Sequence, residues 1–322
     1  RQRQMCIRDS SERNRVQFYS RRNSRIFRSS AEEGGMKTLS ARNYKARRVL
    51  SVIVFSLGIA ILLTFAVFAL FGEKIAPYSS RESFDKFLPC SREHIFGTNN
   101  LGYDIFSQLI VATRSTLIVG ISSAVACLVI GVAIGLLAGY IGGIAGEAVN
   151  GIINFFLLVP MLPCAIVVAS YTSGGEMSII LTISLLCWCS TARAVRAKTM
   201  SVKNSDYVRA LKSMGYGEMR ILLRHTLPNV MDVALAKFMP SVASCIMIEA
   251  TLSFLGMGSV TDVTWGVMIQ NAFNYGGILL GKYNWILAPG GAIMLLQLAV
   301  YMINQYIEFR RKIVQESTIK CK

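Results

Sequence analysis

The sequence predicts an all-α, polytopic membrane protein with six transmembrane helices and with both termini in the cytoplasm. Of its 322 residues, 53% are hydrophobic and only 16% are charged, which is too apolar for a soluble domain of this length. The apolar residues form long blocks, and most basic residues lie outside those blocks. The positive-inside rule for membrane proteins therefore explains the net charge of +16, and nucleic-acid binding is not expected.

The first 35 residues differ in composition from the rest of the chain. They hold nine of the 34 Lys and Arg residues, show no apolar periodicity and do not begin with Met. This polar, Arg-rich and Ser-rich composition predicts that residues 1–35 are disordered or extraneous. A start at Met36 would place five basic residues before the first apolar block, so residues 36–71 are expected to form a cytoplasmic anchor and the first transmembrane helix.

Six apolar runs are interpreted as membrane spans, because a helix needs about 20 apolar residues to cross the hydrocarbon core. Their predicted ranges are 49–71, 117–141, 148–171, 177–189, 233–256 and 285–307. The first run contains no charge and is longer than the apolar part of a typical signal peptide. The fourth run is short, and we expect it to continue as a polar helix through Arg193 and Arg196.

The charges of the loops predict the orientation. Residues 193–231 carry eight Lys and Arg against two acidic residues, whereas residues 172–176 and 259–284 carry almost no basic residues. Basic loops stay on the cytoplasmic side. The predicted organisation is an external loop at 72–114, a five-helix core at 115–307 that includes a cytoplasmic loop at 193–231, and a basic cytoplasmic tail at 308–322.

A ridge of glycines is predicted on the second helix. Gly131, Gly135, Gly139 and Gly143 recur every four residues and therefore share one helix face. A face without side chains lets another helix approach closely. That helix belongs either to the same subunit or to a second membrane subunit, and the sequence leaves both open.

The cytoplasmic loop holds two predicted short helices. The first covers residues 207–215 and ends at Gly215. The second ends at Pro228 and carries one mainly apolar stripe, formed by Met219, Leu222, Leu223 and Thr226. An apolar stripe on a cytoplasmic loop needs a partner, which is another protein or, alternatively, the surface of an anionic membrane.

Glu249 lies inside an apolar span, where an ionisable group is costly and is a functional candidate by default. The alternative role is a structural hydrogen bond near the outer end of the helix. No basic residue of this chain is predicted opposite it.

No feature of the sequence predicts catalysis, a metal site or a cofactor. The eight cysteines contain no pair of CxxC units, which argues against a zinc site and a disulfide framework. Residues 276–283 imitate the phosphate-binding pattern GxxxxGK, but Tyr283 stands where Ser or Thr must hold Mg²⁺. Any ATP hydrolysis is therefore expected on another chain.

The cytoplasmic loop resembles the EAA loop of binding-protein-dependent ABC importer permeases, in particular the C-type permease of the dipeptide, oligopeptide and nickel group. The matching residues are Tyr207, Val208, Ala210, Gly215, Leu227, Pro228 and Asn229. Arg209 stands where the family has its name-giving Glu, and Leu211 where it has its second Ala. The resemblance implies an ATPase-coupling loop that inserts into a cleft of the ATPase, with Tyr207, Val208, Arg209, Ala210, Gly215, Leu227 and Pro228 as its site residues.

The resemblance extends over roughly residues 45–300. Residues 96–104 are similar to the family's FGTDxLGRD segment, with Asn99 and Tyr103 as replacements. Residues 249–258, followed by Trp265 and Gly266, are similar to its EAxLSFLGLG and WG. The usual LRDxLDP ending is absent.

This resemblance implies a type I ABC importer permease-like fold in the bacterial inner membrane, without enzymatic activity of its own. The implied partners are a second permease subunit in a heterodimer, two cytoplasmic ATP-binding subunits, an external solute-binding protein and membrane lipid. The expected solute is peptide-like, ahead of nickel chelates and glutathione-like molecules. A secondary, ion-coupled transporter is the alternative, although such proteins usually place paired charges or broken helices near the midplane of the membrane.

Overall fold

A computed structural model describes residues 41–172, 174–258 and 262–320 of the chain. The segment 1–35, predicted to be disordered or extraneous, lies outside these residues. The described residues are helices and turns with two isolated β-bridges, Ser83 with Tyr103 and Thr98 with Asp104, and they contain no strand longer than a bridge. The chain divides into two compact units after Ile53, and of the shorter unit only the start of the first helix is described.

The first two helices are longer than predicted. Helix α1 spans Ala41–Ile75 and helix α2 spans Ile105–Ile141. Helix α2 starts well before residue 117 because Asp104 caps it. The Asp104 carboxylate accepts hydrogen bonds from the backbone N–H of Ser107 at 2.8 Å and from its hydroxyl at 2.7 Å. The loop before α2 is correspondingly shorter than the predicted 72–114.

The third predicted span is broken into two helices. Helix α3 spans Gly143–Leu158 and helix α4 spans Met161–Ser170, with a bend of 92° between them. Pro160 causes the break, because its ring holds Val159 in extended backbone and it has no N–H to continue the helix. The prediction of one continuous helix over 148–171 was therefore wrong.

Helix α5 spans Glu176–Lys203, which confirms that the fourth span continues as a polar helix through Arg193 and Arg196. Five helices among the described residues are long and apolar enough to cross a membrane, or six if the bent pair counts as one span.

The second part of the loop at 193–231 and the fifth span form one continuous element. Helix α6 spans Asp206–Ser213, and helix α7 runs over Glu218–Met257 with a kink near its end, where Gly256 has non-helical backbone with φ of +93°. Pro228 does not end the second loop helix as predicted. It lies just after a π-helical stretch, Ile221–Thr226, at the second residue of the following α-helical segment, where a missing N–H is tolerated.

Two further helices complete the chain. The short helix α8, Trp265–Asn274, lies in a region predicted as loop, and helix α9 spans Asn284–Lys320. In the turn between them, Lys282 of the GxxxxGK-like segment donates a hydrogen bond to the carbonyl of Phe87 at 2.6 Å.

Buried side chains of the described residues form one large core and two smaller clusters, one of which lies at the end of α2 beside the loop at 193–231. The large core is built around Trp265, Trp285, Ile246 and Leu296. The cluster beside this loop, which we call the loop-end cluster, contains Leu136, Tyr140, Val195, Val202, Val208, Ile221, Leu222, Val230 and Ala234. Because its members come from α2, α5, α6 and α7, it fixes the position of the loop on the helix core.

Candidate functional site

Helix α6 is attached to the core by Val208. Its side chain is fully buried in the loop-end cluster, whereas Tyr207, Arg209 and Ala210 are exposed. Of these four predicted residues, Val208 therefore anchors the helix to the core, and the other three lie on the surface.

Gly215 ends α6 as predicted, in a left-handed conformation with φ of +80°. The N–H of Gly215 bonds to the carbonyl of Lys212 at 3.0 Å, and the N–H of Tyr216 bonds to that of Leu211 at 3.2 Å, which is a Schellman motif. No heavy atom lies within 4 Å of the position of an added Cβ. The backbone conformation, and not a lack of space, therefore requires glycine here.

The predicted apolar stripe of the second loop helix is divided between the core and the surface. Leu222 and Thr226 are buried in or beside the loop-end cluster, whereas Met219 and Leu223 are 68% and 54% exposed. Ile221, which was outside the predicted stripe, is fully buried. The π-helical stretch explains this difference, because its i→i+5 turn displaces side chains from the α-helical spacing used in the prediction.

Five large apolar side chains of residues 207–223 are exposed, and we call them together the coupling surface. It consists of Tyr207, Met214, Tyr216, Met219 and Leu223. Clusters of large apolar side chains on an otherwise polar loop mark sites of association.

Tyr207 also ties the two loop helices together. Its hydroxyl donates to the carbonyl of His225 at 3.3 Å, and the amide of Asn229 donates to the Tyr207 hydroxyl at 3.1 Å. Leu227 is half-buried, and Pro228 is exposed beside this contact. Of the predicted coupling residues, the structure therefore brings Tyr207 close to the start of α7.

Among the described residues, the side chain of Arg209 contacts only groups close to it in sequence. Its guanidinium lies 3.5 Å from Asp206 and donates to the carbonyl of Asn204 at 3.0 Å, with 70% of the side chain exposed. An exposed pair of this kind contributes little to stability.

A polar cluster that the sequence did not predict joins the loop to the end of α2. The hydroxyl of Tyr140 bonds to the Glu218 carboxylate, and the ammonium of Lys212 lies 2.6 Å from the other carboxylate oxygen. Helix α7 is about 60 Å long at 1.5 Å per residue, twice the hydrocarbon thickness, so we assign its polar first turns to the region outside the membrane. There the hydrogen bond from Lys212 lowers the pKa of Glu218, and the bond from Tyr140 adds to this effect.

The glycine ridge of α2 packs against α5 of the same chain. A Cβ added at Gly131, Gly135 or Gly139 would lie 2.5 to 2.8 Å from atoms of that helix, such as the carbonyl oxygen of Ala192 at 2.5 Å from Gly135. Gly143 does not share this contact. It follows the end of α2, has φ of +58° and would have no atom within 4 Å of its Cβ.

Glu249 is fully buried on α7. One carboxylate oxygen accepts a hydrogen bond from the hydroxyl of Ser253 at 2.8 Å, one turn further along the helix. The other oxygen has no hydrogen-bond partner among the described residues. Gly266 of α8 packs against the same turn, because an added Cβ would lie 2.7 Å from the carbonyl oxygen of Ala250.

A sequence model of the family of binding-protein-dependent transport system inner membrane components matches residues 131–313. The chain belongs to this family. The match includes the glycine ridge, the coupling surface and Glu249.

Relatives of the same family align with most of the chain. It is 31% identical to the oligopeptide transport system permease protein OppC of Bacillus subtilis (strain 168), over 82% of this chain and 86% of that protein. It is also 31% identical to the di/tripeptide transport system permease protein DppC of Pseudomonas aeruginosa (strain UCBPP-PA14), over 77% of this chain and 84% of the relative. Identity to the dipeptide transport system permease protein DppC of Bacillus subtilis (strain 168) is 33%, over 77% of each chain.

Among solved structures, the chain is similar to one in inward-facing crystals of the MetNI methionine ABC transporter. The TM-score is 0.45 and the identity 20%, over 63% of this chain and 94% of that chain.

Membership of the inner membrane component family confirms the resemblance seen in the sequence and the assignment as an all-α, multi-pass membrane protein. The main residues that sequence reasoning missed are Tyr140, Lys212 and Glu218. Tyr140 directly follows Gly139 of the predicted glycine ridge and Lys212 lies in the predicted helix 207–215, but no pattern in the sequence connects either residue to Glu218.

Proposed function

We propose that this chain is the transmembrane permease subunit of an ATP-driven importer that moves di- or oligopeptides from an external binding protein into the cytoplasm. Family membership supports transport that depends on a binding protein. The names of three relatives, each aligned over at least 77% of this chain, support peptides as the solute.

The coupling surface is the main structural support for this proposal. Its five apolar side chains are exposed on a loop that the left-handed turn at Gly215 and the hydrogen bonds of Tyr207 hold in a fixed shape. A preformed apolar surface suits a cleft on another protein, because little conformational entropy is lost on docking. We therefore assign this surface to the ATP-binding subunit rather than to anionic lipid.

The proposed complex contains a second permease subunit, so that the pore is a heterodimer, and two cytoplasmic ATP-binding subunits. It lies in the bacterial inner membrane with both termini of this chain inside. The excess of eight basic over two acidic residues in 193–231 supports this orientation. ATP then favours one arrangement of the helices, and the coupling surface carries that preference to the core.

Recovery of the ATP-binding subunits with the purified permease complex tests this assignment. The double substitution Met219→Ser and Leu223→Ser removes two apolar anchors from the coupling surface. We expect recovery to fall at least about tenfold, since anchor residues at interfaces each contribute more than about 1 kcal/mol.

Met177→Ser is the matched control. Met177 is 66% exposed, much like Met219, but it lies at the start of α5, at the far end of that helix from the loop. We expect this variant to recover the ATP-binding subunits at the wild-type level. Equal recovery with the control and the double variant would contradict the proposal.

Glu249 discriminates between this function and ion-coupled secondary transport. Because Gln keeps the shape of Glu249 and can still accept the hydrogen bond from Ser253, we expect Glu249→Gln to retain ATP-driven uptake. Uptake that continues after deletion of the ATP-binding subunits, and that Glu249→Gln abolishes, would instead identify a secondary transporter.

A further inference from the structure

The Glu218 carboxylate connects two helices to the start of α7. One oxygen takes the hydrogen bond of the Tyr140 hydroxyl from α2, and the other lies 2.6 Å from the Lys212 ammonium of α6. The Tyr140 hydroxyl also bonds to the backbone carbonyl of Glu218 at 3.2 Å. A single side chain at the base of the coupling surface therefore holds the end of α2 to both loop helices.

Lys203 adds a fourth helix to this cluster. Its ammonium, at the end of α5, donates to the carbonyl of Tyr140 at 2.5 Å and approaches that of Ile141 at 3.5 Å. These are terminal carbonyls of α2, which have no partner within the helix and lie at its negative end. The ammonium groups of Lys203 and Lys212 also lie 5.4 Å and 5.7 Å from the centre of the Tyr140 ring, within the range of cation–π contacts.

The members of the cluster differ in exposure. Tyr140 is only 9% exposed, whereas the side chains of Lys212 and Glu218 are 36% and 62% exposed. An exposed ion pair is weak by itself, but a hydrogen bond from a buried hydroxyl to a carboxylate is charge-assisted and less screened by water. Tyr140 is therefore the residue that joins the loop to α2 most firmly.

Movement of the Tyr140 end of α2 would involve α5 as well. The two helices are in close contact at Gly131, Gly135 and Gly139, so we expect them to move together. Near the other end of α2, the hydroxyl of Thr116 accepts a hydrogen bond from the backbone N–H of Trp265 at 3.1 Å. Packed contacts therefore connect the loop, through α2, to α8, and a displacement of the loop can be transmitted along them.

We propose that Tyr140, Glu218 and Lys212 form a latch through which the docked ATP-binding subunit moves the α2–α5 pair. They are positioning residues: they contact neither solute nor ATP, and they convert docking into movement of the core. This inference rests on the proposed function, because it needs an ATPase on the coupling surface.

The test uses the complete complex in lipid vesicles, with solute uptake, ATP hydrolysis and recovery of the ATP-binding subunits measured together. Tyr140→Phe keeps the ring and its cation–π contacts and removes only the hydroxyl. We expect ATPase recovery and the KM for solute to stay at wild-type values, while solute transported per ATP falls about fivefold, the order expected for one net hydrogen bond. Tyr283→Phe, at an exposed tyrosine before α9, is the control and should change none of these quantities.

A charge exchange separates a latch from a merely structural contact. Glu218→Lys places a third cation beside Lys203 and Lys212 and should lower transport per ATP further than Tyr140→Phe does. Adding Lys212→Glu restores an ion pair of reversed polarity, so the double variant should recover part of the lost coupling. Because Glu218 and Lys212 are both partly exposed, we expect their variants to fold. The charge exchange can therefore be measured even if Tyr140→Phe does not fold.

Four outcomes would contradict these proposals, and they show which proposal fails. Wild-type transport per ATP in Tyr140→Phe would overturn the latch, and so would a charge exchange that rescues nothing. Loss of ATPase recovery together with coupling would also overturn it, since the residues would then belong to the docking surface. Absence of the ATP-binding subunits from the wild-type complex would instead refute the proposed function.

Discussion

The polar groups at the two ends of α2 differ in their burial. At its start, Asp104 is buried and lies 3.0 Å from the ring nitrogen Nδ1 of the buried His94, and Asn99 donates to Gln108 at 3.1 Å. At its other end, the ion pairs of the loop at 193–231 are exposed, and the same loop carries exposed large apolar side chains. The polar groups named at the first end are therefore buried and paired within this chain, whereas the loop at the second end carries five exposed apolar side chains that suit a partner.

Glycines show the same difference. Gly102 and Gly215 have nearly equal φ, +85° and +80°. A Cβ at Gly102 would lie 2.1 Å from the carbonyl oxygen of Phe84, whereas one at Gly215 would have no neighbour within 4 Å. Packing therefore restricts the first glycine in addition to its backbone conformation, and only the conformation restricts the second.

Gly102→Ala should give the largest effect. Left-handed backbone costs a side chain about 1 to 2 kcal/mol, and the clash with a backbone carbonyl adds to that cost, so we expect a loss of about 3 kcal/mol or more in the free energy of unfolding. Denaturation of the purified protein in detergent measures it. Gly215→Ala, with the same conformation and no clash, is the control. An equal loss of unfolding free energy in Gly215→Ala would show that packing does not distinguish the two glycines.

Asp104→Ala should give the next largest effect. It removes the cap of α2 and leaves His94 and Ser107 without their common partner, which we expect to cost about 2 to 3 kcal/mol of unfolding free energy. Asp206→Ala removes an equivalent charge from the start of α6, where the carboxylate is 98% exposed, and should cost less than about 0.5 kcal/mol. Comparable unfolding of both variants in detergent would show that the two ends do not differ in rigidity.

The composition of the sequence was sufficient for the fold class, because apolar runs and their lengths determine which segments can cross a membrane. It failed where polar or proline residues change a helix locally. Residues 105–114 were assigned to the external loop because of its mixed, polar composition, yet the Asp104 cap makes them helical. Pro160 breaks a helix, whereas Pro228, which follows a π-helical stretch, does not.

The candidate site was predicted where its signals are local. The turn at Gly215 follows from a short helix followed by glycine, and Val208 and Tyr207 lie within the same motif. The contact of Tyr140 with Glu218 joins residues 78 positions apart, and no periodicity within either segment indicates it. The division of the apolar stripe likewise depends on how α7 packs on the loop-end cluster, which is a tertiary property.

Gly215→Ala should affect docking more than folding. The strain of about 1 to 2 kcal/mol falls on an exposed turn, so we expect recovery of the ATP-binding subunits to fall several-fold while the Tm changes by only a few degrees. Gly217→Ala is the matched control, because Gly217 has φ of −65° and also no atom within 4 Å of an added Cβ. Equal recovery with the two variants would show that binding of the partner does not depend on the shape of this turn.

Arg209→Ala should have the smallest effect, although the position is the one at which the chain departs from the family's acidic residue. It removes one exposed pair with Asp206, worth less than about 0.5 kcal/mol, and we expect recovery of the ATP-binding subunits to stay within about twofold of wild type. The physical reason is that a charge 70% exposed on α6 stabilises neither the Schellman turn nor the Val208 anchor. A tenfold loss of recovery would show instead that Arg209 pairs with an acidic group of the partner, and the coupling surface would then have to be redrawn to include a charge.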